Sequence, residues 1–256
     1  MGISSNHFAY LSMLAYKDED EIKKYVEESE YTYTDWKGDN AVIKYTDYQV
    51  FNNDGAQAYA FWNKQVYVIA FRGTEPTQLS DVFADMKVWK TESQVDGRVH
   101  YGFKKELDKI WSDIKECWPI FKDRRLYVTG HSLGAAMATL AASRLNKGTR
   151  VPTVYTFGCP RVGNKKFTES CTFEHHRFVN NNDAVTKVPF WFLGFRHSGD
   201  LNYINYYGNI RPLTPWQKIK DQFRGRVRAL SKFQLFDGIF DHSVTLYYQK
   251  LERISK

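Results

Sequence analysis

The stretch Leu126-Tyr-Val-Thr-Gly-His-Ser-Leu-Gly-Ala-Ala constrains this chain more than any other. A short β-branched run leads straight into a serine flanked by glycines, and an alanine-rich segment follows to Leu145. Gly130, Ser132 and Gly134 have the G-x-S-x-G spacing, in the strand–turn–helix context that gives the pattern meaning. The turn must be tight and strained, with the serine hydroxyl at its tip and neighbouring chain very close. Glycines at 130 and 134 remove the Cβ atoms that would block that approach, and Ala135 and Ala136 let the helix lie against the strand. A serine at a helix N-terminus also sits beside free N–H groups and the positive end of the dipole, which favour a developing oxyanion.

The rest of the chain predicts the sheet this turn needs. Gln65–Phe71 and Arg125–Thr129 read as buried strands, as do Val151–Phe157 and His176–Asn180, while 41–50 and 56–63 alternate in the manner of strands. Helical patterns cover 8–29, Glu75–Trp89, Gly102–Phe121 and Leu133–Leu145. Strands alternating with helices imply an α/β fold with a mainly parallel central sheet flanked by helices. At 256 residues the economical reading is one domain over 1–256, with a basic insertion at about 212–238.

A serine hydroxyl needs a neighbouring base. In this topology the acid and then the histidine follow the serine along the chain. Asp183 falls at the end of the strand closing with Val179-Asn-Asn-Asn, where parallel sheets assemble their sites. His175 and His176 precede it, which leaves His197 or His242; His242, just before an apolar run, is preferred, and Asp241 is too near in sequence to orient it. Leu133, the residue after the nucleophile, is expected to offer one oxyanion N–H. Thr74, in the Arg72-Gly73-Thr74 turn, is expected to offer the second, with Asp85 a weaker candidate to hold its hydroxyl. The apolar positions Leu79, Val82, Phe83 and Met86 read either as a core-facing helix or as a mobile lid beside the site.

Composition narrows the function. Aromatic residues reach 16%, which excludes a mainly disordered chain, and no apolar run is long enough to span a bilayer. Cys117, Cys159 and Cys171 form no CxxC pair, so neither a disulfide framework nor a cysteine zinc site is expected, and neither metal nor organic cofactor is needed. The net charge of +7 is concentrated between Arg211 and Lys232, where seven basic residues accompany the single acid Asp221. Trp216, Ile219, Phe223, Val227 and Leu230 recur there at helical spacing. The segment reads as a solvated insertion or as a contact for an anionic surface; nucleic acid is not the expected partner. No charged n-region precedes an apolar h-region, so the cytoplasm is the default compartment, with secretion the alternative for a chain whose leader has been removed.

Taken together, Phe71-Arg-Gly-Thr, His100-Tyr-Gly-Phe, Val128-Thr-Gly-His-Ser-Leu-Gly-Ala-Ala, Thr156-Phe-Gly-Cys-Pro-Arg-Val-Gly-Asn, the run from Val179 to Pro189 and Asp241-His242 resemble the class 3 lipases, the group containing the filamentous-fungal triacylglycerol lipases. The resemblance covers roughly residues 8–250. It implies an α/β-hydrolase fold and hydrolysis of long-chain glycerides, with Ser132 as nucleophile, Asp183 as acid and His242 as base. It also implies Thr74 and Leu133 as oxyanion donors and Glu75–Phe83 as the lid region. The implied partner is a lipid ester, with peripheral contact at a lipid interface; no oligomeric state follows. Val82 stands where the resemblance leads one to expect a lid tryptophan, and the 212–238 insertion has no counterpart in it. Two other readings remain: a phospholipase on anionic membranes, and a lipid-binding or interaction module with a vestigial site.

Overall fold

The structure, a computed structural model, describes residues 3–34, 40–74, 89–146, 151–210, 217, 220 and 241–255. The predicted helices over 8–29 form as α1 (Ser5–Leu14) and α2 (Glu19–Glu28). The Asp18 carboxylate accepts the Glu21 N–H at 2.9 Å and starts α2, whose acidic first turn suits the dipole. A small hairpin of β1 (Tyr31–Thr34) and β2 (Asn40–Ile43) follows. The strand expected over 41–50 is thus two strands, because the chain leaves β2 at Ile43 and enters the main sheet as β3 (Asp47–Asn53).

β3, β4 (Ala56–Trp62) and β5 (Val66–Phe71) form an antiparallel meander. Its first turn is Asp54-Gly55, both at positive φ, the two-residue hairpin geometry that matches strand twist. A second hairpin, β6 (Lys90–Glu92) and β7 (Arg98–His100), leads into α3 (Tyr101–Glu116) and the short α4 (Trp118–Phe121). Then come β8 (Arg125–His131), α5 (Leu133–Leu145), β9 (Thr153–Phe157), α6 (Lys165–Ser170), β10 (His175–Asn180), β11 (Asp200–Ile204) and α7 (Val244–Ser255). The main sheet has the order β11-β10-β9-β8-β5-β4-β3, parallel from β11 to β5. The mainly parallel expectation therefore holds, and β11 joins it as a strand that the sequence reading did not contain.

Period-two alternation divides the core into two layers. In β5, Tyr67, Ile69 and Phe71 point to α3 and α5, whereas Val68 and Ala70 point to α1, α2 and α7. The first layer is closed by Phe103, Leu107, Ile110 and Ile114, which recur along one face of α3. Helix α5 is buried nearly all round, and Ala135, Ala136, Ala138, Ala141 and Ala142 let it pack closely between the sheet and α3, with Met137, Leu140 and Leu145 filling the wider gaps. On the other face of β8, Thr129 Oγ1 lies 2.9 Å from Ser12 Oγ of α1. The register pairs Phe71 with Gly130 and His131 with Phe157, so the C-terminal ends of the central strands finish together at one edge.

Two buried histidines tie stability to pH. His7 Nε2 bonds the Tyr45 hydroxyl at 2.8 Å, and His175 bonds Thr156 Oγ1 at 2.9 Å. Burial pushes both imidazoles down to about 3 from 6.5, with Arg177 and His176 adding to the effect at His175. Below 6.5 the unfolded chain binds protons that the folded chain refuses, so stability is present above that pH and is lost as pH falls toward 3. The melting temperature is expected to drop steadily from pH 6.5 downward, and His175→Gln to make the slope shallower. Equal slopes in the two proteins would contradict this.

Candidate active site

Ser132 closes β8 and opens α5 with φ 58° and ψ −125°, a region that side-chain-bearing residues avoid. Such a conformation costs on the order of 1–3 kcal/mol and persists only where the surroundings dictate it. Here they do. A Cβ on Gly130 would stand 2.4 Å from the Gly134 carbonyl oxygen, and one on Gly134 would stand 2.2 Å from the Phe71 oxygen. The Ser132 N–H is held by the Phe157 carbonyl at 3.1 Å, and the Ser132 carbonyl accepts the Ala135 N–H at 3.0 Å. Ser132 Oγ is buried and has no hydrogen-bond partner among the described residues. Leu133 is the first residue of α5, so its N–H lies in the turn where a helix has no acceptor of its own.

The strand next door delivers the other expected donor region. At the end of β5 the position of a Cβ on Gly73 is 3.2 Å from the Ser132 Cβ, so the chain passes directly beside the serine and Thr74 follows. Asp85 and the lid positions Leu79, Val82, Phe83 and Met86 lie outside the described residues, as does nearly all of the 212–238 insertion.

Asp183 and His242 meet although 59 residues separate them: Nδ1 lies 3.0 Å from Oδ1 and 2.9 Å from Oδ2. Both are fully buried. Facing an ionised carboxylate, Nδ1 carries the proton, which leaves Nε2 with a lone pair; that atom also has no partner among the described residues. Asp183 accepts two further bonds, from the Val185 N–H at 2.9 Å and the Tyr247 hydroxyl at 2.7 Å. Tyr247 in turn accepts the Asn180 N–H at 2.8 Å, and burial, reinforced by Asp183, drives its phenol pKa well up. The carboxylate is thus fixed from three sides in a dry setting.

His197, the alternative base, sits elsewhere. Its Nε2 donates to the Thr186 carbonyl at 2.9 Å, and burial with Arg177 and Arg161 holds its pKa well below the usual value. It braces the loop after Asp183. The Asp241 carboxylate accepts the Asn182 N–H at 3.0 Å and its carbonyl accepts Asn180 Nδ2 at 2.8 Å, tying the histidine segment to the end of β10. Tyr247 and the bracing role of Asp241 were missed by sequence reasoning. The two contacts join residues 67 and 59 positions apart, with no local pattern to announce them. Among the described residues no group of His, Cys, Asp and Glu could hold a metal ion.

A mainly parallel sheet, a strained serine between strand and helix, and a buried Asp–His pair after later strands define an α/β-hydrolase. Residues 68–193 match the family model described as Lipase (class 3). The chain is 30% identical over 196 residues to the secreted mono- and diacylglycerol lipase A of Penicillium cyclopium, an alignment covering 75% of this chain and 60% of that protein. A solved triacylglycerol lipase, reported as having a serine protease triad at its catalytic centre, is 26% identical with a TM-score of 0.54, over 62% of this chain and 67% of that one. The Rhizomucor miehei triacylglyceride lipase shares the fold, with a TM-score of 0.62 over 78% of each chain at 22% identity. These matches place residues 68–193 of the chain in the class 3 lipase family. It spans less than two thirds of the length of the curated relatives it matches. No described helix is long and apolar enough to cross a membrane. The cytoplasmic default finds no support here, since several relatives are named as secreted.

Gly158 is the backbone feature that lets the Asp–His pair form. It sits at φ +61°, and a Cβ there would lie 2.7 Å from the His242 ring and 2.8 Å from Asp183 Oδ2. Gly158→Ala is expected to break the Asp183–His242 bond and to cost about 1–3 kcal/mol of stability. The low-field proton resonance of His242 Nδ1–H reads it; its persistence in the variant would contradict the packing described.

Proposed function

We propose that the protein is a serine-dependent carboxylic ester hydrolase acting on glycerolipids, working as one domain with 212–238 as an insertion. The observation that carries the reading is the buried Asp183–His242 hydrogen bond, which leaves Nε2 with its lone pair unused, on a ring that lies 4.4 Å from that of His131, the residue before a strained serine whose hydroxyl has no partner among the described residues. Ser132 is the nucleophile, His242 the base and Asp183 the group that fixes its tautomer. As Oγ bonds to the ester carbonyl carbon, its proton passes to His242 Nε2. The carbonyl oxygen takes the negative charge between the N–H groups of Leu133 and Thr74. Collapse of this intermediate breaks the bond to the alcohol, which leaves with the His242 proton. Water then gives a proton to Nε2, attacks the acyl carbon and releases the fatty acid, and Oγ recovers its proton. Fungal relatives named as mono-, di- and triacylglycerol lipases support a glyceride as the ester.

Ser132→Ala is expected to lower ester turnover roughly 10⁴-fold or more. A fluorophosphonate is expected to label the parent at this residue. Hydrolysis by the alanine variant near the parental rate would refute the assignment.

A lipid surface is the expected site of action, and the loop after Asp183 supports it. Phe190, Trp191 and Phe192 are 50%, 62% and 65% exposed, and Trp89 on the adjoining hairpin is 64% exposed. Soluble surfaces seldom display such a strip without a use. It is held stiffly: Phe190 and Phe192 stack at 5.3 Å, Arg196 donates to the Trp191 carbonyl at 2.6 Å, and Arg161 donates to the Pro189 carbonyl at 3.0 Å. From Ala184 to Gly199 the chain carries Lys187 and Arg196 and no acid, a balance suited to a headgroup layer. Burying one such ring contributes ~1.5–3 kcal/mol. Replacing Trp191 and Phe192 by alanine is therefore expected to weaken cosedimentation with triolein emulsion by about tenfold or more, while turnover of a dissolved short-chain ester holds. Undiminished binding to emulsion would remove the loop from the interface.

A further inference from the structure

The histidine inside the serine turn has no part in the chemistry above, yet it touches both halves of the site. His131 is buried, and its ring lies against that of His242, with centroids 4.4 Å apart and the planes tilted by 34°. Its Nε2 lies 2.6 Å from the His242 backbone carbonyl, and its Nδ1 lies 2.8 Å from the Tyr16 hydroxyl. A carbonyl oxygen can only accept, so Nε2 carries the proton. In a neutral ring Nδ1 must then accept, so Tyr16 donates. Burial, with His242 nearby, holds the His131 pKa well below the usual value and keeps the ring neutral.

Tyr16 reaches further. A Cβ on Gly73 would lie 2.3 Å from the Tyr16 hydroxyl and 2.5 Å from the His131 carbonyl oxygen, so the phenol rests against the strand end that leads to Thr74. The Arg72 guanidinium lies 5.8 Å from the centre of its ring. One chain of contacts therefore runs from the segment after β5, through Tyr16 and His131, to the backbone of His242. Alternation along β8 makes this arrangement available: Tyr127, Thr129 and His131 share the face turned to α1 and α7.

We propose that His131, fixed as the Nε2–H tautomer by Tyr16, is a positioning residue that sets the His242 backbone relative to Ser132 and the Gly73–Thr74 strand end. This rests on the acyl-transfer reading for its kinetic consequence, but the tautomer itself does not. Small displacements of a base cost between about tenfold and a hundredfold in rate.

The test has two arms. In ¹⁵N-histidine-labelled protein, His131 is expected to show a protonated Nε2 and a bare Nδ1; a protonated Nδ1 or an imidazolium would overturn the proposal whatever the enzyme does. In the second arm, acylation by a fluorophosphonate is followed in His131→Leu, which keeps bulk but cannot donate, and in His131→Gln, which can donate to the same carbonyl. The leucine variant is expected to acylate between about tenfold and a hundredfold more slowly, with KM for a dissolved ester unchanged and the glutamine variant restored to near the parental rate. Parental speed in the leucine variant, or equal slowing in both, would reduce His131 to a packing residue. A parent that no phosphonate labels would count against the hydrolase reading alone. Should the variants fail to fold, the tautomer measurement on the parent decides.

Discussion

The close passage of three backbone segments around Ser132 sets the rest of the structure. The end of β5, the end of β8 and the start of α5 approach to distances at which a single added carbon would collide with a carbonyl oxygen. That crossing forces the serine into its unfavourable dihedral angles, presents its hydroxyl at the strand ends and brings the segment leading to Thr74 alongside. It also dictates packing beneath the turn. A helix pressed this hard against its own strand can carry only small side chains on that face, and α5 supplies alanines.

The second half of the site is built from polar groups that would be costly to bury alone. Asp183 is tolerated in a dry interior because Val185, Tyr247 and His242 all direct hydrogens at it. Two of these are themselves held, Tyr247 through Asn180 and the His242 segment through Asp241 and His131. The result is a network in which His242 is restrained through its ring at one end and its backbone at the other. In the proposed role of base, an imidazole held in this way needs little reorganisation when a proton arrives, which is the circumstance in which preorganised dipoles contribute most.

Much of this was legible in the sequence, for identifiable reasons. Central strands such as Val66–Phe71 are covered on both faces and read as unbroken apolar runs. The serine turn is legible because its glycines are demanded by local geometry, and Asp183 because strand ends are where parallel sheets place their ligands. β11 was not, since Asp200 and Leu201 are exposed and only Tyr203 and Ile204 are buried, too short a signal for alternation to emerge. The strand break after Ile43 was hidden by apolar residues on both sides of it. Tyr16, His131, Tyr247 and Asp241 were invisible as site residues because their partners come from distant elements, and only a folded sheet brings an N-terminal tyrosine to the histidine before the nucleophile. His242 was preferred over His197, and the coordinates pair His242 with Asp183 while His197 braces a loop.

The alanine-packed helix behind Ser132 bears on how such a protein changes over evolutionary time. At Gly130 and Gly134 its inner wall leaves no slack: an added Cβ must displace the neighbouring backbone. The layer beneath Ser132 is therefore closed to experiment by mutation, while the exposed upper loops at the sheet edge, such as the one carrying Phe190 to Phe192, are not packed between sheet and helix and tolerate exchange. Divergence in what the protein accepts is expected to accumulate in those upper segments, with the floor inherited almost unaltered.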